Sequence, residues 1–160
     1  PLGYHGLGDV FVLAFFGFVA VAGSAFVQVG EVPSLAWLAA IPIGCLATAI
    51  LVVNNVRDVE TDLAAGKRTL PARFGRRFGV AEYWVLLAVA YLVPFLPPLS
   101  RASYGAGLLP CLTLPLALRL AASVARERGA RLNPVLARTA LLLFAFGVLF
   151  GASIWLGRTP

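Results

Sequence analysis

Residues 54–77 read NNVRDVETDLAAGKRTLPARFGRR, a dense polar run joined directly to a stretch as apolar as lipid. Asp58, Glu60 and Asp62 are three of the chain's seven carboxylates. Ionisable groups at a membrane boundary are expensive to desolvate, so a cluster of them marks a site. If the preceding helix continues through the run, positions 54, 58 and 62 lie i, i+4, i+8 and form one stripe. Asn55, three residues before Asp58, flanks it, and Glu60, about 200° around from Asp58 at 3.6 residues per turn, faces away. Two aspartates with amide oxygens beside them make a hard-oxygen site. Calcium asks for more protein oxygens in a looped geometry. Magnesium keeps waters and completes its shell from phosphate. Gly66-Lys67-Arg68-Thr69 then supplies donors suited to phosphate oxygens, and Gly66 permits the turn that folds them back over the metal. Together these residues point to a magnesium-bound diphosphate at the membrane face. The plainer alternative is a topological anchor, but an anchor needs only positive charge and not four oxygen ligands on one helical face.

The elements that must position this run are membrane spans. The chain has 160 residues, 60% hydrophobic and 12% charged. A soluble domain carries about twice that charge. Five apolar windows are expected to cross the bilayer, at about 10–29, 34–58, 80–96, 104–125 and 134–156. The expected fold class is therefore an all-α, multi-span transmembrane helical bundle forming a single domain over 1–160. Glu31 and Pro33 end the first span, Pro97-Pro98 ends the third, and Asn133-Pro134 reads as an N-cap followed by proline at the first helical position. Gly17, Ala20, Gly23 and Ser24, with Gly147 and Gly151, suit close helix packing in lipid. Pro42, Pro94, Pro110 and Pro115 lie inside apolar windows, where kinks are expected.

The net charge is +6. The basic residues lie beside spans and not on a soluble face, so nucleic acid is set aside as a partner. The 57–77 connection carries six Lys/Arg, and the 126–132 connection carries Arg126, Arg128 and Arg131. The connections on the opposite side carry only Arg101. That alternation places the polar run in the cytoplasm by the positive-inside rule. Trp37, Trp84 and Trp155 fall near span ends, where aromatic belts form. Cys45 and Cys111 sit in apolar windows as unrelated thiols. His5 is read as structural or solvent-exposed. The chain begins at Pro1, with no signal peptide visible, and reads as part of a longer protein.

The run NNVRDVETDLAAGKRTLPARFG resembles the second aspartate-rich motif of the UbiA superfamily of intramembrane prenyltransferases. Its form NN-x-RD-x-x-x-D-x-x-x-GK-x-T is similar to the branch that prenylates 1,4-dihydroxy-2-naphthoate in menaquinone synthesis. Gly3-Tyr4-His5-Gly6-Leu7-Gly8-Asp9 before an aromatic-rich span resembles that branch too. The likeness is strong at 1–9 and 54–75 and only hydropathic elsewhere.

The resemblance implies a nine-helix bundle around a central cavity, with one aspartate-rich motif from each half on the cytoplasmic side. This chain, with five spans and one motif, matches spans five to nine, so a missing N-terminal half of the same protein is an implied partner. The implied activity is magnesium-dependent transfer of a polyprenyl group from polyprenyl diphosphate to dihydroxynaphthoate, giving demethylmenaquinone in the cell membrane. Asp58 and Asp62 are implied as catalytic Mg²⁺ ligands. Asn54 and Asn55 are implied as ligands or as donors to the diphosphate, and Lys67 and Arg68 as diphosphate contacts. Arg57, off the stripe, is expected to pair with an acid. Tyr4 reads equally as an interfacial tyrosine or as a side chain reaching the cavity mouth. Asp9 reads as a helix N-cap or as a site residue. Arg119 and Arg138 read as snorkelling residues or as contacts to the diphosphate or the acceptor carboxylate. A different aromatic acceptor of the same class, or a non-catalytic membrane subunit or transporter, are the alternatives.

Overall fold

The computed structural model describes residues 6–102 and 107–157. Every element among the described residues is helical. The first, α1 (Gly8–Val29), is the least enclosed span, with 11% of its apolar window buried. Helix α2 (Ser34–Arg57) has 56% of its window buried and is the central element, packed against α1, α5 and α8. Short helices α3 (Val59–Ala64) and α4 (Leu70–Phe74) carry the polar run to α5 (Arg76–Leu92). Then come α6 (Pro97–Ala102), α7 (Leu114–Arg126) and α8 (Asn133–Leu156). The molecule is an all-α, multi-span membrane bundle. Helices over Gly8–Val29, Ser34–Arg57, Arg76–Phe95 and Gly129–Leu156 are long and apolar enough to cross.

Four of the five expected spans are thus single helices close to their expected bounds. The fifth, 104–125, lies partly outside the described residues. Its described part is a 3-10 turn, Pro110–Thr113, followed by the 13-residue α7. At 1.5 Å per residue α7 is about 20 Å long, short of the roughly 30 Å hydrocarbon core. Pro110 and Pro115 start these two pieces instead of kinking one long helix. Pro97 likewise opens α6, and the third span ends earlier, in the 3-10 turn Val93–Phe95 around Pro94.

The core is the meeting of α2, α5 and α8, where Leu46, Val52, Val53, Tyr83, Leu142 and Phe146 are fully enclosed. Buried hydroxyls are satisfied across helices: Tyr83 pairs with Thr139 at 3.1 Å, and Tyr91 with Thr113. Such bonds hold helices together where lipid supplies no hydrophobic drive. Between α1 and α2 the backbones touch. A Cβ on Gly17 would lie 2.8 Å from Gly44 Cα and 2.9 Å from the Ala40 carbonyl oxygen. This is the packing expected of Gly17. Gly23 and Gly151 face open space, and Gly147 makes only ordinary contact with Ile43. Residues Leu13–Val19 of α1, which include Gly17, are π-helical, and the Ala20 N–H reaches back to the Phe15 carbonyl. Both cysteines are free thiols.

Candidate functional site

Helix α2 does not continue through the polar run. It stops at Asp58, whose φ of −100° and ψ of 12° lie in the sparsely allowed bridge region. The hydrogen-bond ladder still crosses the break: Asp58 N–H donates to the Asn54 carbonyl at 3.1 Å, and Asp62 N–H to the Asp58 carbonyl at 2.8 Å. The break turns the two carboxylates toward different partners. Arg57 grips both oxygens of Asp58, from Nε at 2.7 Å and Nη2 at 2.6 Å. The same guanidinium donates to Asn54 Oδ1 at 2.8 Å and to Asn133 Oδ1 at 2.9 Å. This fork-to-fork geometry favours the ionised carboxylate, and it holds Asp58 below the ordinary aspartate value of 3.8. Arg57 does pair with an acid, as expected.

Asp62, buried on α3, accepts from Lys67 Nζ at 3.1 Å and from Thr69 Oγ1 at 3.4 Å. Gly66 makes the turn that allows this, with φ at 70°, and Lys67 N–H closes onto the Asp62 carbonyl at 2.8 Å. Asn55, also buried, donates to Asp9 Oδ1 at 3.5 Å. Asp9 is not a cap. It lies within the first turn of α1, buried, and faces Asn55. Gly6 seats this N-terminal segment: at φ 75°, a Cβ there would lie 2.8 Å from the Arg68 carbonyl oxygen.

These contacts surround a small polar pocket of about 80 Å³ lined by Asp9, Asn54, Asn55, Lys67 and Thr69, with Leu51 on its apolar side. Beside it runs an apolar groove of about 510 Å³, walled by Val12, Phe16, Ile50, Leu136 and Leu143. Leu51 and Asn54 line both spaces. Of the expected site residues, Asn54, Asn55 and Lys67 meet at the pocket. Asp62 backs it through Lys67 and Thr69, and Asp58 connects to it through Arg57 and Asn54. Arg68 is exposed beside it. Arg119 and Arg138 are exposed and line neither space. Tyr4 lies outside the described residues. Glu60 is exposed, away from the pocket. Asn133, expected as an N-cap, is the first residue of α8, and its side chain serves Arg57. Asp9 and Asn133 as partners of the run had no local signal, because they lie 46 and 76 residues from the groups they touch.

Among the described residues no three acidic, histidine or cysteine side chains gather around one point. Asp58, Asp62 and the Asn54 amide oxygen are hard-oxygen donors near one helix end, each already engaged by a cationic side chain or a neighbouring donor.

The chain is similar to 1,4-dihydroxy-2-naphthoate octaprenyltransferase of Haemophilus influenzae, 36% identical over 98% of the chain and 51% of that protein. The protein of the same name from Mycobacterium tuberculosis is 37% identical over 99% of the chain and 53% of its own length. UbiA prenyltransferase domain-containing protein 1 of Gallus gallus is 37% identical over 96% of the chain and 44% of that protein. The chain spans about half the length of these relatives. No solved structure matches it. The UbiA prenyltransferase family matches residues 1–142. With that match covering the polar run, the pocket and the groove apart from Leu143, the chain belongs to the UbiA prenyltransferase family.

Proposed function

We propose that the protein transfers a polyprenyl group from polyprenyl diphosphate to 1,4-dihydroxy-2-naphthoate, with Mg²⁺, at the cytoplasmic face of the cell membrane. The observation that carries this reading is the sharing of Leu51 and Asn54 between an apolar groove and a polar pocket. An isoprenoid diphosphate has that same division, a lipid tail ending in a charged head. The tail lies along Val12, Phe16, Ile50 and Leu143. The head meets Lys67, Asn55 and Arg68, and Asn54 stands at the junction.

The charges of the run are paired in advance, Asp58 with Arg57 and Asp62 with Lys67. A diphosphate head draws Lys67 from Asp62, and Asp58, Asp62 and Asn54 would hold Mg²⁺ once Arg57 also releases Asp58 and Asn54. The bound ion supplies charge stabilisation to the departing diphosphate. Lys67 and Arg68 share that load through charge-assisted bonds to its oxygens. The allylic C–O bond breaks, the electron-rich ring carbon attacks the allylic cation, and the ring loses its carboxylate as CO₂. The groove keeps water from the cation. The loops rich in Lys/Arg set the orientation.

The test uses the full-length protein with a prenyl diphosphate, dihydroxynaphthoate and Mg²⁺. Demethylmenaquinol should form, read as demethylmenaquinone after oxidation by air, a chelator should stop it, and homogentisate or hydroxybenzoate should not replace the acceptor. Turnover with one of those acceptors instead would keep the class and change the substrate. Absence of any magnesium-dependent prenyl diphosphate binding would make the protein a non-catalytic subunit or a transporter.

A further inference from the structure

A second polar cavity, about 330 Å³, opens where the polar run meets the start of α5 and the α7–α8 connection. Arg57, Glu60, Arg76 and Arg128 line it, and it shares no residue with the pocket at Asn54 and Lys67. Its charges are unbalanced. Arg57 is committed to Asp58. Arg76 donates through Nη1 and Nη2 to the neutral carbonyls of Val124, Ala125 and Glu127 at the end of α7. Its Nε is buried and has no hydrogen-bond partner. A buried donor without an acceptor is costly, and a guanidinium more so. Arg128 is exposed at the rim. Glu60 is the one carboxylate among the described lining residues.

The position adds a further argument. Arg76 is the first residue of the 17-residue α5, so the positive end of that helix opens here. Three spans begin or end around the cavity, which sets it at the level of lipid head groups. Basic pockets between spans on the positively biased side suit anionic heads.

We propose that this cavity binds a phosphate group, carried either by the head of an anionic lipid or by free phosphate. Arg128 donates to its oxygens, Arg76 contributes positive charge from the wall, and Glu60 tempers the affinity. The cavity adjoins the site proposed for the diphosphate substrate through Arg57, which holds Asp58 and Asn54, but shares no lining residue with that pocket.

The experiment takes the full-length protein in neutral detergent. Native mass spectrometry compares retained phosphatidylglycerol with phosphatidylcholine, and a parallel thermal unfolding series adds inorganic phosphate alone. Phosphatidylglycerol should be retained preferentially. Arg128→Ala should weaken it about fivefold, the effect of one basic residue at an anionic surface, and Glu60→Gln should strengthen it. Arg76→Ala is less useful because it also uncaps α7. A rise in unfolding temperature with inorganic phosphate, lost in Arg128→Ala, would support the site and identify free phosphate as its source. Equal retention of both lipids without a phosphate effect would overturn the proposal. So would a lipid preference indifferent to both Arg128→Ala and Glu60→Gln. Magnesium-dependent prenyl diphosphate binding should stay unchanged in Arg128→Ala, so the two readings fail separately.

Discussion

Each aspartate of the polar run already holds a cation of its own, and this shapes what substitution there should do. The Arg57–Asp58 pair is partly exposed, and such pairs add little to stability. Its weight lies in function. Asp58→Asn and Asp62→Asn should each lower prenyl transfer about 10²-fold or more, the usual effect of losing one preorganised charge contact. Glu60→Gln should leave transfer unchanged. Assays of the full-length variants against magnesium concentration check this. Equal sensitivity at Glu60 and Asp58 would remove the directional reading of the run. At this scale the sequence was informative about neighbours. Arg57 beside Asp58 invites a pair, and Gly66 before Lys67 invites a turn. It was silent on the pairing of Asp9 with Asn55 and of Asn133 with Arg57, since contacts made by tertiary packing leave no periodic trace along the chain.

At the scale of elements, hydropathy located the long helices because lipid demands about 20 apolar residues from any of them. It could not locate the break at Asp58, where the backbone leaves helical geometry beside a bidentate arginine while the ladder still closes. It also merged the turn at 107–109 and the 3-10 turn Pro110–Thr113 with α7, because apolar composition alone does not separate a span from a short helix and its lead-in. The α1–α2 contact is testable in the same terms. Gly17→Ala drives a methyl into the Gly44 and Ala40 backbone and should cost about 1–3 kcal/mol. Gly23→Ala meets open space and should be neutral or gain up to about 1 kcal/mol from helix propensity. Thermal unfolding in detergent compares the two, and equal losses would contradict the backbone contact.

For the molecule as a whole, the resemblance implied a half-bundle, and the curated relatives are about twice as long as this chain. Helix α1, with Phe11, Phe15, Phe16 and Phe26 exposed, is the least buried of the four long apolar helices. The proposed orientation has a direct check. In the full-length protein, Glu60→Cys and Arg128→Cys should react with an impermeant maleimide from the cytoplasmic side, and Glu31→Cys only from the other. Labelling of all three from one side would reverse or void the topology. The native thiols interfere little, Cys45 being buried and Cys111 half-buried. The wide-turn stretch Leu13–Val19 carries a consequence for how the chain's N-terminal end meets everything after it. An i→i+5 turn stores one surplus residue relative to an α-turn. Excising one residue there would let the turn close to ordinary α-geometry without turning the segment ahead of it, because the surplus residue is the one lost. Asp9 would keep facing Asn55, and cysteines placed at positions 9 and 55 would cross-link in the parent and in the shortened chain alike.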